Sequence, residues 1–130
     1  MMTTPYEAIG GESRVRAVLQ ALYDRLFEDP IVGFLFVGKD KAHIVEQQVA
    51  FTCAFLGGPQ RYVGKPLPEA HAKLPILAGH FDRRHWLLKQ VLEERGVPDD
   101  VQAAWLELDA NLRPSVLRAG EDARQKTHDP

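Results

Sequence analysis

Apolar residues recur along most of this chain at the spacing of one helical face, and no stretch alternates as a half-buried strand would. After Ser13 the spacing is i, i+3, i+4 and i+7, which is typical of an amphipathic helix. We predict that this helix is capped by Ser13 and ends before Pro30, because the residue before a proline is disfavoured in the helical region. Its apolar stripe comprises Val15, Val18, Leu19, Leu22, Leu26 and Phe27.

The same pattern predicts three further long helices, at about residues 40–56, 77–95 and 98–117. Gly57 and Pro59 end the first of these, since glycine suits a left-handed cap and proline cannot continue a helix. The short apolar stretch "IVGFLFVG" is more typical of a turn of helix at a corner, and "GGPQRYVGKPLP" is the longest irregular piece. We therefore expect an all-α fold with one domain over residues 1–118 and a disordered tail over 119–130.

Composition narrows the class of protein. The 130 residues are 45% apolar and 26% charged, as in a globular domain, and a net charge of −2 argues against a nucleic-acid partner. No apolar run has the ~20 residues of a membrane span, and the first residues lack the order of a secretory signal. The single cysteine, Cys53, excludes an intrachain disulfide and is expected to be a small packing residue. We take a cytoplasmic location as the default.

Two polar residues interrupt apolar faces. Tyr23 lies on the shoulder of the first stripe, and Gln48 shares a helical face with Ile44, Phe51 and Phe55. A buried hydroxyl or amide without a partner costs roughly 1–3 kcal/mol, so each needs a hydrogen bond. Either the two side chains bond each other or a buried water, or they converge on a small polar ligand in an apolar pocket.

His71 bears on that choice. It lies in "EAHAKLPI", between Pro68 and Pro75, in a segment too short for a full helix. Such a histidine is often a surface side chain, but a neutral imidazole also binds haem iron and leaves the opposite face free for a diatomic gas. Tyr23, Gln48 and His71 supply the elements of such a site. The other histidines suit the ligand role less well: His43, His80, His85 and His128.

Several segments, in this order, resemble the truncated haemoglobin family. They are "YEAIGGE", "LYDRLFEDP", "FLF", "QVAFTCAFLGGPQRYVGKPL", "AHAKLPI" with "HFD", and "ERGVP". The resemblance runs from about Tyr6 to Leu117 and is greatest to group I, while "HFDRR" followed by a tryptophan is similar to group III. It implies a shortened globin, in which two helix pairs are packed in a two-over-two arrangement around haem b.

The resemblance implies a role for residues on both sides of the iron. His71 matches the proximal histidine that ligates the metal. Tyr23 matches the distal tyrosine that hydrogen-bonds the gas, and Gln48 matches a polar position that completes the distal network. Gln47 stands where some relatives have a histidine able to bind the iron, so a five-coordinate ferrous iron is expected.

The resemblance also implies positions that contact the porphyrin. Phe36 matches a phenylalanine that packs against it, and Ile44 stands in place of the distal histidine of larger globins. Tyr62 is expected near a propionate. The remaining contacts are expected at Phe51, Leu67, Ile76 and Phe81.

The expected function is reversible binding of oxygen and other diatomic gases, including nitric oxide and carbon monoxide. Nitric oxide dioxygenation would add a reductase as partner, and the alternatives are a haem peroxidase, a gas sensor or a cofactor-free helical interaction module. No nucleic-acid or membrane partner is expected, and we expect a monomer or weak dimer.

Arg84 departs from the family pattern, because it falls on an inward position that is usually apolar. Either the helix is shifted in register and Trp86 takes the core role, or Arg84 extends to solvent along its stem. With a shifted register, His85 would approach the distal side.

Overall fold

The computed structural model describes residues 3–60 and 76–117, and within them the regular structure is helical. The order is α1 (Pro5–Ile9), α2 (Glu12–Glu28), a 3₁₀ helix (Gly33–Phe36), α3 (Lys41–Phe55), α4 (Ala78–Glu94) and α5 (Asp99–Asn111). The predicted all-α fold is confirmed. The predictions for Tyr62, Leu67, His71 and the tail concern residues outside the described ranges, and the division into residues 1–118 and a tail stays a prediction.

The long helices begin and end close to their predicted bounds. α2 stops at Glu28, where Asp29 takes an extended conformation before Pro30. Its start differs from the prediction: the cap is Gly11 and not Ser13. Gly11 has φ +81°, a left-handed conformation that glycine adopts without steric cost, so the turn between α1 and α2 depends on this residue. α5 ends earlier than predicted, with a turn at Leu112 before helical residues resume at 113–117.

α2 is the central helix of the described fold. It packs on α3, on α4 and on the 3₁₀ helix, while α5 packs on α4, and α1 contacts both α2 and α5. Its apolar stripe is almost fully buried, as the periodicity predicts, and Trp105 of α5 joins the same core. The arrangement therefore has two main helix pairs, α2 with α3 and α4 with α5, joined where α4 lies on α2.

α3 carries two apolar faces. The face that packs into the core consists of Val45, Val49, Thr52 and Cys53, and Leu56 directly after the helix continues it. Ile44, Gln48 and Phe55 lie on another face and are half-buried or exposed. Because a helix that is apolar on more than one face needs a second apolar partner, this face of α3 is a surface that a ligand can cover.

No helix in residues 3–60 or 76–117 is long and apolar enough to cross a bilayer.

Candidate functional site

Tyr23 lies at the centre of the candidate site and is held by aromatic packing. It is on α2 with 4% of its surface exposed. The 3₁₀ helix brings Phe36 edge-on to its ring, with centroids 6.0 Å apart, and Phe36 in turn stacks on Phe27 at 4.8 Å. Edge-to-face and stacked contacts of this kind fix ring orientation in addition to burying area. Tyr23 therefore presents its hydroxyl from a rigid wall made by α2 and the 3₁₀ helix.

The partner of the Tyr23 hydroxyl is Arg84. Arg84 Nη2 donates to Tyr23 Oη over 3.4 Å, a long hydrogen bond, and the guanidinium carbon lies 5.7 Å from the centre of the tyrosine ring. No hydrogen bond joins Tyr23 to Gln48, although the structure describes both residues. The alternative in which these two side chains bond each other is therefore wrong.

Both predictions for Arg84 are also wrong. The register is not shifted, because Trp86 is half exposed and takes no core position, and Arg84 does not extend to solvent. Its guanidinium points inward, and Nη1 donates to Asp109 Oδ1 of α5 over 2.6 Å. The side chains of Arg84 and Asp109 are 22% and 7% exposed.

Asp109 uses both of its carboxylate oxygens, one for Arg84 and one for His85. Oδ1 accepts from Arg84, and Oδ2 lies 2.8 Å from Nδ1 of His85. Burial works to raise the pKa of Asp109, but the charge of Arg84 and the hydrogen bonds from His85 and Arg84 outweigh it and hold the pKa below its usual range. Burial likewise opposes the charge on Arg84, and the oxygens of Tyr23 and Asp109 more than compensate, so its pKa is raised. Arg84 is a permanent and largely buried cation, and the contact that His85 makes is with Asp109 and not on the distal side.

The second apolar face of α3 carries the next group of predicted site residues. Gln47 and Gln48 are half-buried beside Ile44. Phe51 is buried, while Phe55 is 58% exposed, and their rings lie 4.7 Å apart. This face has two amides next to large apolar groups.

The start of α4 contributes the remaining described positions. Phe81 is buried and Ile76 is half-buried. His80 Nδ1 accepts a hydrogen bond from the backbone N–H of Leu77 over 3.0 Å, and its ring lies 5.3 Å from Phe34 of the 3₁₀ helix. His80 thus caps the start of α4 through its ring nitrogen.

These residues suit a haem group. α3 and α4 both pack on α2 without packing extensively on each other, so the second face of α3 is not covered by α4. Large aromatic side chains remain exposed at Phe34 and Phe55, and a flat apolar ring system is a partner that can bury such side chains. The buried hydroxyl of Tyr23 adds a polar group of the kind that orients a small ligand within an apolar pocket.

Sequence reasoning placed Tyr23 and the α3 face at the site but missed the part played by Arg84 and Asp109. The available signal was an arginine at an inward helical position, because a buried charge requires a partner. Its partner is 25 positions further along the chain, on another helix, and periodicity cannot pair residues at that distance.

Comparison with known proteins shows the family to which this fold belongs. The profile of the family described as Bacterial-like globin matches residues 4–117. The group 1 truncated haemoglobin of Nostoc sp. (strain MUN 8820) is 31% identical over 116 residues, which cover 89% of this chain and 98% of that protein. The group 1 truncated haemoglobin of Tetrahymena pyriformis is 37% identical over 98 residues, covering 75% and 81% of the two chains.

Solved structures agree. The truncated haemoglobin of Tetrahymena pyriformis in its Fe(III) form superimposes with a TM-score of 0.82 at 33% identity, covering 88% of this chain and 98% of that one. The 2/2 haemoglobin of Synechococcus sp. PCC 7002, in the cyanomet state and with covalently attached haem, gives 0.84 at 26% identity, covering 89% and 99%. The predicted two-over-two fold and the resemblance to group I are confirmed.

Proposed function

This chain belongs to the bacterial-like globin family and is a truncated haemoglobin, and on that premise we propose how its own residues hold haem and a diatomic gas. Haem as cofactor and binding of a gas at haem come with the family. The cofactor-free interaction module is thereby set aside. When bound, haem would supply an iron that takes a protein ligand and the gas.

The protein ligand is His71. It lies outside the described residues, and the proposal rests on its match to the family's proximal histidine and on the positions of the other histidines. His80 is engaged as a helix cap, His85 is engaged with Asp109, and His43 is exposed on α3.

The distal hydrogen-bond donor is Tyr23. Its ring is buried and its orientation is fixed by Phe36, so its hydroxyl is in place before a ligand arrives. Dioxygen acquires negative charge on binding, and a donor that needs no reorganisation stabilises that charge. Carbon monoxide acquires less, so the tyrosine favours oxygen over carbon monoxide. This preorganised hydroxyl is the observation that carries the proposed function.

The second apolar face of α3 supplies the other distal groups. Gln48 is the second donor, and Ile44 closes the pocket with an apolar side chain. Gln47 is an amide and a poor iron ligand compared with imidazole, so the gas position stays open and the iron is five-coordinate without gas. The half-burial of all three side chains supports this assignment.

The porphyrin packs against apolar residues of three elements and of the undescribed segment. Phe36 forms the wall beside Tyr23, while Phe51 and Phe81 lie on α3 and α4. The proposed porphyrin contacts also include Ile44, Tyr62, Leu67 and Ile76.

A site with two donors retains oxygen for long times, because each net hydrogen bond contributes about 0.5–1.5 kcal/mol. Long retention suits storage or conversion of nitric oxide to nitrate better than bulk transport. Such turnover requires a reductase as partner.

His71→Ala tests the proximal assignment. We expect loss or strong weakening of haem binding, measured by the Soret absorbance per protein, with recovery on adding imidazole. His43→Ala is the matched control, since it removes an exposed histidine of α3. Full haem retention with an unchanged spectrum of the reduced, gas-free His71→Ala protein would contradict the assignment.

Tyr23→Phe tests the distal assignment. Removing one hydroxyl should raise the oxygen dissociation rate about fivefold, measured by stopped flow. Tyr6→Phe is the matched control, because the Tyr6 hydroxyl accepts from Gln60 and takes no part in the site. An oxygen dissociation rate equal to that of Tyr6→Phe removes Tyr23 from the scheme.

A further inference from the structure

We propose that Arg84 is a positioning and specificity-determining residue of the gas site: it directs the Tyr23 hydroxyl toward the ligand and biases the site toward small anions. This inference rests on the proposed function of Tyr23. Arg84 stands at a position where the family resemblance predicts an apolar residue, so the role belongs to this chain's own sequence.

The first step is the direction of the hydrogen bond. A guanidinium has five N–H donors and no acceptor, whereas a phenol can donate once and accept. In the contact between Arg84 Nη2 and Tyr23 Oη, the tyrosine oxygen must therefore be the acceptor. Its own O–H proton is left for another partner, and the described residues offer no further hydrogen bond to it. The proton is thus available to a ligand.

The second step is that Arg84 is held in place. Asp109 on α5 accepts from Nη1 over 2.6 Å, and its other oxygen is occupied by His85 at 2.8 Å. The guanidinium has few alternative positions, and it lies 5.7 Å from the centre of the Tyr23 ring. Asp109, itself bonded to His85, therefore holds the guanidinium at Nη1 while Nη2 contacts Tyr23.

The third step is that stability alone does not account for the pair. A buried ion pair is often no more stabilising than apolar residues of similar volume, because desolvation offsets the attraction. Arg83, the adjacent residue, pairs instead with Asp29 and lies over the ring of Trp86, so it makes a separate ion pair between α4 and the end of α2. Arg84 is the arginine that contacts the distal tyrosine.

The consequence is a preference among ligands. A cation beside the distal hydroxyl attracts an anion and makes no comparable interaction with a neutral molecule. The negative charge of Asp109 cancels part of the positive potential of Arg84 at long range. The attraction for anions is therefore limited to ligands that reach Tyr23. Small anions such as fluoride, binding to the ferric protein, should gain from Arg84, while imidazole should not.

The test compares Arg84→Met with Arg84→Lys in the ferric holoprotein. We expect fluoride affinity to fall about tenfold in Arg84→Met, the size of one hydrogen bond to a charged group, with imidazole affinity unchanged. Arg84→Lys, which keeps the charge, should recover part of the loss. Lys89→Met is the control, because it removes an exposed positive charge from the same helix.

Two further measurements separate positioning from folding. The C–O stretching frequency of the carbon monoxide complex should rise in Arg84→Met, since a weaker donor leaves the C–O bond stronger. In the haem-free protein, the ¹³C resonance of the Tyr23 ring carbon that bears the hydroxyl should move in Arg84→Met and stay in place in Lys89→Met. If Arg84→Met, which leaves Asp109 without its arginine, does not fold, Arg84→Met/Asp109→Asn removes both charges and carries the same expectations.

Equal losses of fluoride and imidazole affinity, or no loss of either, would overturn the inference. So would an unchanged C–O frequency. These outcomes are distinct from failure of the proposed function. If Tyr23→Phe raises the oxygen dissociation rate but Arg84→Met leaves fluoride affinity unchanged, the role of Arg84 is refuted and the role of Tyr23 stands.

Discussion

Asp29→Asn is expected to destabilise the corner that carries Phe36 to the site. Asp29 follows α2, and its side chain is 4% exposed. One carboxylate oxygen, Oδ2, accepts the backbone N–H groups of Ile31 and Val32 at 3.0 and 3.1 Å. The other, Oδ1, accepts Nη2 and Nε of Arg83 on α4 at 2.7 and 3.1 Å. This one side chain therefore fastens the turn before the 3₁₀ helix to α4.

The expected loss in the free energy of unfolding depends on which hydrogen bonds asparagine retains. Its single carbonyl oxygen can still accept the two backbone bonds, but its NH₂ group then faces the guanidinium of Arg83, donor against donor. Breaking a buried ion pair costs about 3–5 kcal/mol and an exposed pair about 0–1 kcal/mol. Arg83 is 27% exposed, so water recovers part of the loss, and we expect about 2 kcal/mol. For a domain of this size that is a Tm decrease of roughly 8 °C.

The assay is urea and thermal unfolding of the holoprotein at equal haem loading, followed by far-UV circular dichroism. Asp82→Asn is the matched control, because it breaks a pair with Arg113 that is exposed on both sides, and it should change the free energy of unfolding by less than about 0.5 kcal/mol. Equal effects of Asp29→Asn and Asp82→Asn would refute the reasoning.

The pH dependence of this effect has a defined sign. The hydrogen bonds from Arg83, with those from the backbone, hold the pKa of Asp29 below its usual range. The stabilisation is therefore fully present above the unfolded-state pKa of about 3.9 and is lost as pH falls toward the lower folded value. The difference between the original protein and Asp29→Asn should be constant at neutral pH and shrink below about pH 4.

Other predictions concern the core and the buried pair. Burial raises the pKa of the Cys53 thiol to about 11, so Cys53 should not react with a thiol reagent at pH 8 until the protein unfolds. Trp105→Ala should cost about 3–5 kcal/mol in urea unfolding, whereas Trp86→Ala, at a half-exposed position, should cost less than about 1 kcal/mol. Asp109→Asn should cost about 3 kcal/mol, and combining it with Arg84→Met should restore part of that loss; a double variant less stable than either single variant would contradict the pairing.

Much of the fold follows from residues close together in the chain. The stripe of α2, the proline after it and the double glycine after α3 act over one or two helical turns, so periodicity and helix breakers predicted those helices to within a few residues. The exact caps were less predictable, because Gly11 rather than Ser13 begins α2, a choice that depends on how α1 packs back on the chain.

The candidate site was only partly predictable. The burial of Tyr23 followed from its place beside an apolar stripe. The contact between Arg84 and Tyr23 did not follow from the sequence. The two alternatives for Arg84 were a shifted helix register and a side chain that extends to solvent.

The sequence by itself determined the helical class, the order of the helices and the presence of polar residues on apolar faces. Each of these depends on local spacing, which repeats every 3.6 residues. Only the tertiary structure decided which polar groups meet: Tyr23, Arg84 and Asp109 come from three helices. A buried charge will pair with whichever opposite charge the packing of helices brings within a few ångströms, and that packing is settled by the whole core.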